Sequence, residues 1–280
     1  MTVQELAEKY GLDEDKVFEL LTYYLEGGDL NENLEVEDAE ITQYEILDIE
    51  FPVLSKNISI KSKHLITNPH LLDNNSSLKP FLKKIVQVER LREVRVFRGF
   101  QRIQFGSNNT IVKPYFNAEG IKWLPASEVF GEGIFLEFDE TKLHEWYNKF
   151  RKIIDNITYH QINTAQEQGL LNNSGITPSP YFIMLHTFSH ILINQLSFDS
   201  GYSSTSLKER IYSNQDKKRY GILIYTTDAD AEGSMGGLVE MGTPQYIEEV
   251  IYKAVTKSTW CSSDPVCREL EKQGVGGLNA

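Results

Sequence analysis

The spacing of apolar positions changes character along the chain. In residues 3–9 and 14–26, Leu6, Tyr10, Val17, Leu20, Leu21 and Tyr24 recur at helical intervals and predict two short helices. Gly11-Leu12-Asp13 separates them, with Asp13 as N-cap, and Gly27-Gly28 stops the second. Residues 29–48 are acidic and polar with scattered Leu, Val and Ile, and read as a linker. Strand-like stretches follow at Ile58–Ile60, Ile85–Val88, Glu93–Phe97 and Gly133–Phe138, with Asn- and Ser-rich loops such as Asp73–Ser77 and Gly106–Thr110 between them. From Glu140 to Asn163 a helical pattern returns, its apolar face made by Leu143, Trp146, Tyr147, Phe150, Ile153 and Ile154. Thr177-Pro178-Ser179-Pro180 breaks it, and a second long helix is predicted from Tyr181 to Leu196.

A shorter helix is predicted over Ser203–Tyr212. The continuous apolar run Gly221–Tyr225 has the composition of a strand buried in a parallel sheet. A glycine-rich turn and a helix over Pro244–Ser258 follow. Helix, strand, glycine turn and helix make α/β grammar. The expected class is α/β, or more broadly mixed α+β. Three segments are expected: an acidic helical arm with its linker (1–48), a β-rich basic region (49–139) and an α/β domain (140–280).

Charge refines this division. The net charge of −12 is not evenly spread. Residues 1–50 hold 16 acids against Lys9 and Lys16, whereas the remainder holds 24 acids and 26 bases. An acidic arm of this kind docks on a basic partner, covers a basic groove on its own chain, or is a solvated segment that serves solubility. The acidic surface of the helical pair would repel DNA phosphates, which makes it a protein-docking hairpin. No run of about eighteen apolar residues occurs and the N-terminus lacks a signal-peptide pattern, so a cytoplasmic protein without a membrane span is expected.

Four stretches carry chemistry. Lys83–Arg102 has seven bases, with Phe97 and Phe100 interleaved; Arg90, Arg92, Arg95, Arg98 and Arg102 are the candidate nucleic-acid contacts, by phosphate pairing and base stacking. His186 and His190, at i and i+4 of one helix, project from one face, a spacing that can chelate a transition metal. The apolar residues around them favour instead a hydrogen-bonded pair in the core. Asp228, Asp230 and Glu232 follow a buried strand and, with the histidines, could serve a metal-dependent hydrolase or nuclease. Gly233, Ser234, Gly236 and Gly237 could present amides to a phosphate, or could form a plain turn before a capped helix. Finally Cys261 and Cys267, separated by five residues, are either half of a zinc site, a small-loop disulfide or two ordinary thiols. Structural zinc takes four ligands, so a zinc site here is incomplete in cysteine.

Five segments together resemble the DrmB family of DISARM antiphage systems: Val88–Arg95 with Gly99–Ile103; Trp123–Ala126 running on to Gly131–Leu136; Leu185–His190; Ile224–Thr226 with Asp230–Gly233 and Gly236–Leu238; and Trp260–Cys267. The last three are similar to the zinc-binding domain named for the helicase MrfA. The resemblance implies a second cysteine pair beyond Ala280. It also implies an accessory, non-hydrolytic subunit that partners a helicase and helps it engage foreign DNA. Two other readings remain beside it: the hydrolase on His186, His190, Asp228, Asp230 and Glu232, and a bare protein-interaction module.

Overall fold

The computed structural model describes residues 43–97, 116–118, 121–167, 179–227 and 236–259. The helices expected over 3–9 and 14–26 lie outside this set. Among the described residues the elements run α1 (Gln43–Leu54), β1 (Ile60–Lys61), β2 (Leu65–Leu71), β3 (Leu82–Val96), β4 (Phe116–Ala118), β5 (Ile121–Trp123), β6 (Ala126–Phe138), α2 (Glu140–Glu167), α3 (Pro180–Ser200), β7 (Leu207–Asn214), β8 (Arg219–Thr226), α4 (Gly237–Met241) and α5 (Pro244–Ser258). Both helices and strands are thus present, and the class is mixed α+β. No helix among them is long and apolar enough to cross a membrane.

The chain divides into two units, one of Met1–Glu40 with Val94–Glu128 and one of Ile41–Glu93 with Val129–Ala280. In the first, β4 and β5 form an antiparallel pair with Phe116 opposite Trp123. The second holds most of a six-stranded sheet in the order β1-β2-β3-β6-β8-β7.

Strand β8 lies inside this sheet, antiparallel to both β6 and β7. The parallel arrangement expected for Gly221–Tyr225 is therefore corrected. Only Gln215–Lys218 separate β7 from β8, and a connection so short permits only a hairpin. The continuous apolar run arises because β8 is covered on both faces. Tyr220, Ile222 and Ile224 join a cluster with Ile134, Leu136, Leu185, Leu192, Leu196, Ile247 and Val250, from β6, α3 and α5. Leu223 and Tyr225 point the other way, into a cluster with Phe51, Leu54, Val86, Val88, Phe135 and Tyr212.

Two further expectations are corrected. Leu207–Asn214 is an edge strand rather than part of a helix over Ser203–Tyr212. Its residues favour helix locally, but hydrogen bonding to β8 along the full strand overrides that weak preference. And the linker reading of 29–48 does not hold to its end, because α1 begins at Gln43. Long helix α3 does begin where the proline-rich break suggested. The Ser179 hydroxyl accepts the Phe182 amide at 3.1 Å, and Pro180 occupies the first helical position, where its missing N–H is not needed. The loop after Leu72 turns on Asp73, whose carboxylate accepts the amides of Asn75 and Ser76. The Ser77 amide then donates to Glu248 of α5 at 2.9 Å.

Helix α1 was hidden by its proline. Pro52 sits inside the helix and has no N–H for the carbonyl of Asp48 four residues earlier. Arg219 fills that vacancy, with its guanidinium donating to the Asp48 carbonyl at 2.8 Å. The Asp48 carboxylate in turn accepts from Asn214 at 3.0 Å and pairs with Lys217 at 2.8 Å. The Phe51 ring meets Phe135 and Tyr212 edge-on, each at 5.7 Å between centroids. A broken helix is thus held by the β7–β8 hairpin it covers.

This arrangement has a measurable consequence. Arg219→Met should cost about 1–3 kcal/mol, because a half-buried carbonyl loses its donor. Adding Pro52→Ala supplies an N–H to the same carbonyl and should return part of the loss. Urea denaturation of the two single variants and the double variant reads the coupling; strictly additive effects would refute the substitution of arginine for the missing amide.

Candidate functional site

Helix α3 and edge strand β7 together build a small polar cluster. On α3, Leu185, Ser189, Leu192 and Leu196 are buried, and His186 and His190 flank this stripe. On β7, Leu207 and Ile211 point into the same apolar cluster, and Glu209 lies between them on that face. His186 Nδ1 stands 2.8 Å from Glu209 Oε1, and His190 Nε2 stands 3.4 Å from the same oxygen. The two imidazole rings meet edge to face at 4.5 Å. Ser189, between them on the helix, donates its hydroxyl to Oε2, the other carboxylate oxygen.

The expectation of a core histidine pair is only half met. The two rings are close to each other and to one carboxylate, but the side chains are 18% and 44% exposed. Nor is the Nδ1 of His186 well aligned: it is buried and close to the carboxylate, yet it completes no hydrogen bond of good angle. One donor atom from each of His186, His190 and Glu209 falls within 4.8 Å of the others. That is the donor set of a transition-metal site: two imidazoles and one carboxylate, with no further ligand among the described residues.

Glu209 was missed because it is far from the histidines in sequence and was placed on a helix. The alternation Leu207, Glu209, Ile211 was the available signal. The carboxylates that the sequence did suggest, Asp228, Asp230 and Glu232, lie outside the described residues. So do Gly233, Ser234, Cys261 and Cys267.

Gly236 and Gly237 open helix α4, and a buried carboxylate meets them there. Glu132 is 1% exposed. It accepts the Gly236 amide at 2.5 Å, the Leu238 amide at 3.0 Å and the Tyr202 hydroxyl at 2.8 Å. These bonds satisfy two of the unpaired amides at the start of α4. Gly236 has φ +124°, a conformation that side-chain-bearing residues rarely adopt. Gly131 beside the glutamate is needed for a different reason: a Cβ there would lie 1.7 Å from the Thr226 carbonyl oxygen on β8. The Gly131-Glu132-Gly133 motif therefore lets β8 come close while Glu132 turns toward α4.

Of the arginines, Arg90 lies with its guanidinium over the Phe130 ring at 4.2 Å. Arg92 is exposed on the same strand, Arg95 falls in the other unit, and Arg98 and Arg102 lie outside the described residues. Strand β3 carries an irregularity in this stretch: Arg90 pairs with Ile66 and Val88 with Thr67, leaving Glu89 as an extra residue. The extra residue resets the alternation, so Leu91 packs on the same cluster as Val86 and Val88. Glu93 accepts from Lys208 at 3.0 Å and from Tyr225 at 3.0 Å.

Comparison with known proteins identifies residues 188–274 as a match to the MrfA Zn-binding domain family. The chain is also 37% identical over 210 residues to the DISARM protein DrmB of Bacillus paralicheniformis. That similarity covers 71% of this chain and 36% of the relative, so the chain spans about a third of that protein's length. Zinc is the metal the domain family implies, and the donor chemistry of His186, His190 and Glu209 fits it.

Burial of the tyrosines in these networks sets an alkaline limit on stability. The Tyr225 hydroxyl is pushed up to about 12, first by burial and then by the Glu93 carboxylate beside it. Tyr202 is likewise raised to about 12, by burial and then by its bond to Glu132. In the unfolded chain both lose their protons near pH 10. The folded state therefore holds these protons more tightly. Their contribution is complete below about pH 10 and is lost as pH rises toward 12. The tyrosine contribution to the urea midpoint should be constant below about pH 10 and fall above it, and Tyr225→Phe should make the alkaline fall shallower. An unchanged pH profile in that variant would contradict the assignment.

Proposed function

We propose that this chain, a DrmB-like protein carrying a MrfA-type zinc-binding domain, is a cytoplasmic accessory subunit of a DISARM-like antiphage defence system. In this reading it works beside a separate helicase and contacts DNA rather than hydrolysing a substrate itself. The observation that carries the reading is the 37% identity to DrmB over 210 residues, with the zinc-binding domain match inside the same chain. The arginine-bearing strand supports the DNA contact. Arg90 and Arg92 lie two residues apart on β3, and Phe130 orients the Arg90 guanidinium. Arginine held over an aromatic ring keeps its charge and its planar fork available to phosphate oxygens.

The defence role is tested in a host carrying the complete defence locus. Deleting this chain's coding sequence should raise phage plating to the level seen without the system, and reintroducing it should restore protection. Equal plating with and without the chain would overturn the role. Affinity capture of the tagged chain should recover the helicase encoded in the same locus.

DNA contact has a separate readout. Affinity should fall with salt, and Arg90→Glu with Arg92→Glu should lower the slope of log affinity against log salt by about two if each contacts one phosphate. Loss of affinity with the slope unchanged would remove phosphate pairing from the account. The acidic arm is best probed by deleting residues 1–42. A cut at 48 would also remove the first half of α1 and the Asp48 contacts to the β7–β8 hairpin. Tighter DNA binding at low salt after that deletion would mean that the arm screens the basic strand. Lost helicase capture with DNA affinity intact would make it a docking element.

A further inference from the structure

We propose that His186, His190 and Glu209 form a divalent transition-metal site that joins helix α3 to edge strand β7, and that it binds its ion without Cys261 or Cys267. The argument starts from distances. Metal–nitrogen and metal–oxygen bonds to zinc are about 2.0–2.2 Å, so neighbouring donors around a tetrahedral ion stand roughly 3.3 Å apart. The Glu209 Oε1 atom is 2.8 Å from His186 Nδ1 and 3.4 Å from His190 Nε2, and the three donor atoms lie within 4.8 Å of one another. Small side-chain adjustments open this triangle around an ion without moving either element.

The hydrogen bonding points the same way. A single carboxylate oxygen faces both imidazole nitrogens, and the buried Nδ1 of His186 completes no aligned hydrogen bond with it. A cation at the centre of the triangle would engage all three lone pairs at once. The second oxygen, Oε2, is already held by the Ser189 hydroxyl, whose oxygen also lies 3.0 Å from the His186 carbonyl oxygen. An outer hydrogen bond of that kind fixes the orientation of a ligating carboxylate. Phe182 stacks beside the His186 ring, with the planes 10° apart, and supplies an apolar wall.

Chemistry selects the ion. Two imidazoles disfavour calcium and magnesium, which take oxygen ligands, and suit zinc and its neighbours. Two neutral imidazoles and one carboxylate give one negative charge against two positive, so the site attracts a dication. Its exposed edge is at His190, 44% accessible, which leaves an approach for the ion and room for a solvent ligand. Because β7 pairs with β8 alone among the described strands, a metal bond to α3 would tie it to a second element.

Cobalt(II) and zinc titrations test this. The full chain carrying Cys261→Ser and Cys267→Ser, stripped with chelator, should bind one cobalt ion with visible ligand-field absorption and no thiolate charge-transfer band. Zinc should displace it and raise the melting temperature. Adding His190→Gln should weaken cobalt binding at least about tenfold and abolish the zinc-induced shift. Because that side chain is half exposed, the metal-free melting temperature should hardly move. Glu209→Gln should weaken binding similarly; if it does not fold, His190→Gln decides the matter. Loss of all cobalt binding on removing the cysteines, or undiminished binding in the His190 variant, would overturn the proposal.

Discussion

Strand β8 is apolar on both faces, and the need to cover both of them organises the unit around it. A strand with one wet face would need a single layer of helices. Here Ile222 and Ile224 require cover from α3 and α5 on one side, and Leu223 and Tyr225 require it from the other. Helix α1 is recruited for that second face, although its sequence is poorly suited to a helix. Its proline leaves the Asp48 carbonyl without an amide, and Arg219, at the start of β8, repairs the defect. The strand that needs covering thus carries the group that holds its cover in place.

The edge strand β7 shows how charge is handled next to that core. Three consecutive ionisable residues alternate between the faces, and each finds a partner across the sheet surface. Lys208 reaches Glu93 at 3.0 Å, Glu209 reaches the two histidines, and Arg210 reaches Glu50 at 2.7 Å. Glu50 is raised above its usual range because burial outweighs the opposing effect of Arg210. An outermost strand exposes unpaired backbone groups to other chains. Inward and outward charges with fixed partners make this edge a poor template for such pairing.

What was legible in the sequence was whatever rests on local pattern. The long helices α2 and α3, the helix from Pro244 to Ser258 and the strands around Val86 and Phe135 follow from periodicity and caps, and they are found where expected. The apolar face of α2 is an instructive exception. Leu143 is buried, with Trp146 and Tyr147 packed against the same core, but Phe150 and Ile153 are 42% and 62% exposed. Periodicity states which face could be buried; only the packing decides how far along the helix it is. The errors have the same origin. Burial on both faces gave β8 the composition of a parallel strand, a helix-prone segment was claimed by the sheet edge, and a proline concealed a helix that an arginine completes.

The candidate site marks the same boundary more sharply. His186 and His190 were legible because four residues along a helix bring side chains together whatever the tertiary structure. Their carboxylate was not, because Glu209 reaches them only once β7 pairs with β8 and α3 packs over the pair. Asp228, Asp230 and Glu232 were suggested because they follow a strand end, and they lie outside the described residues. A donor set shared between a helix and a strand depends on packing, and its parts carry no mutual spacing in the sequence. The Gly131-Glu132-Gly133 motif has the same character. Its glycines answer to the approach of β8 and its glutamate to amides of α4 more than a hundred residues later. Short motifs in this chain are therefore best read as half of a contact, with the other half found by asking which element each face must meet.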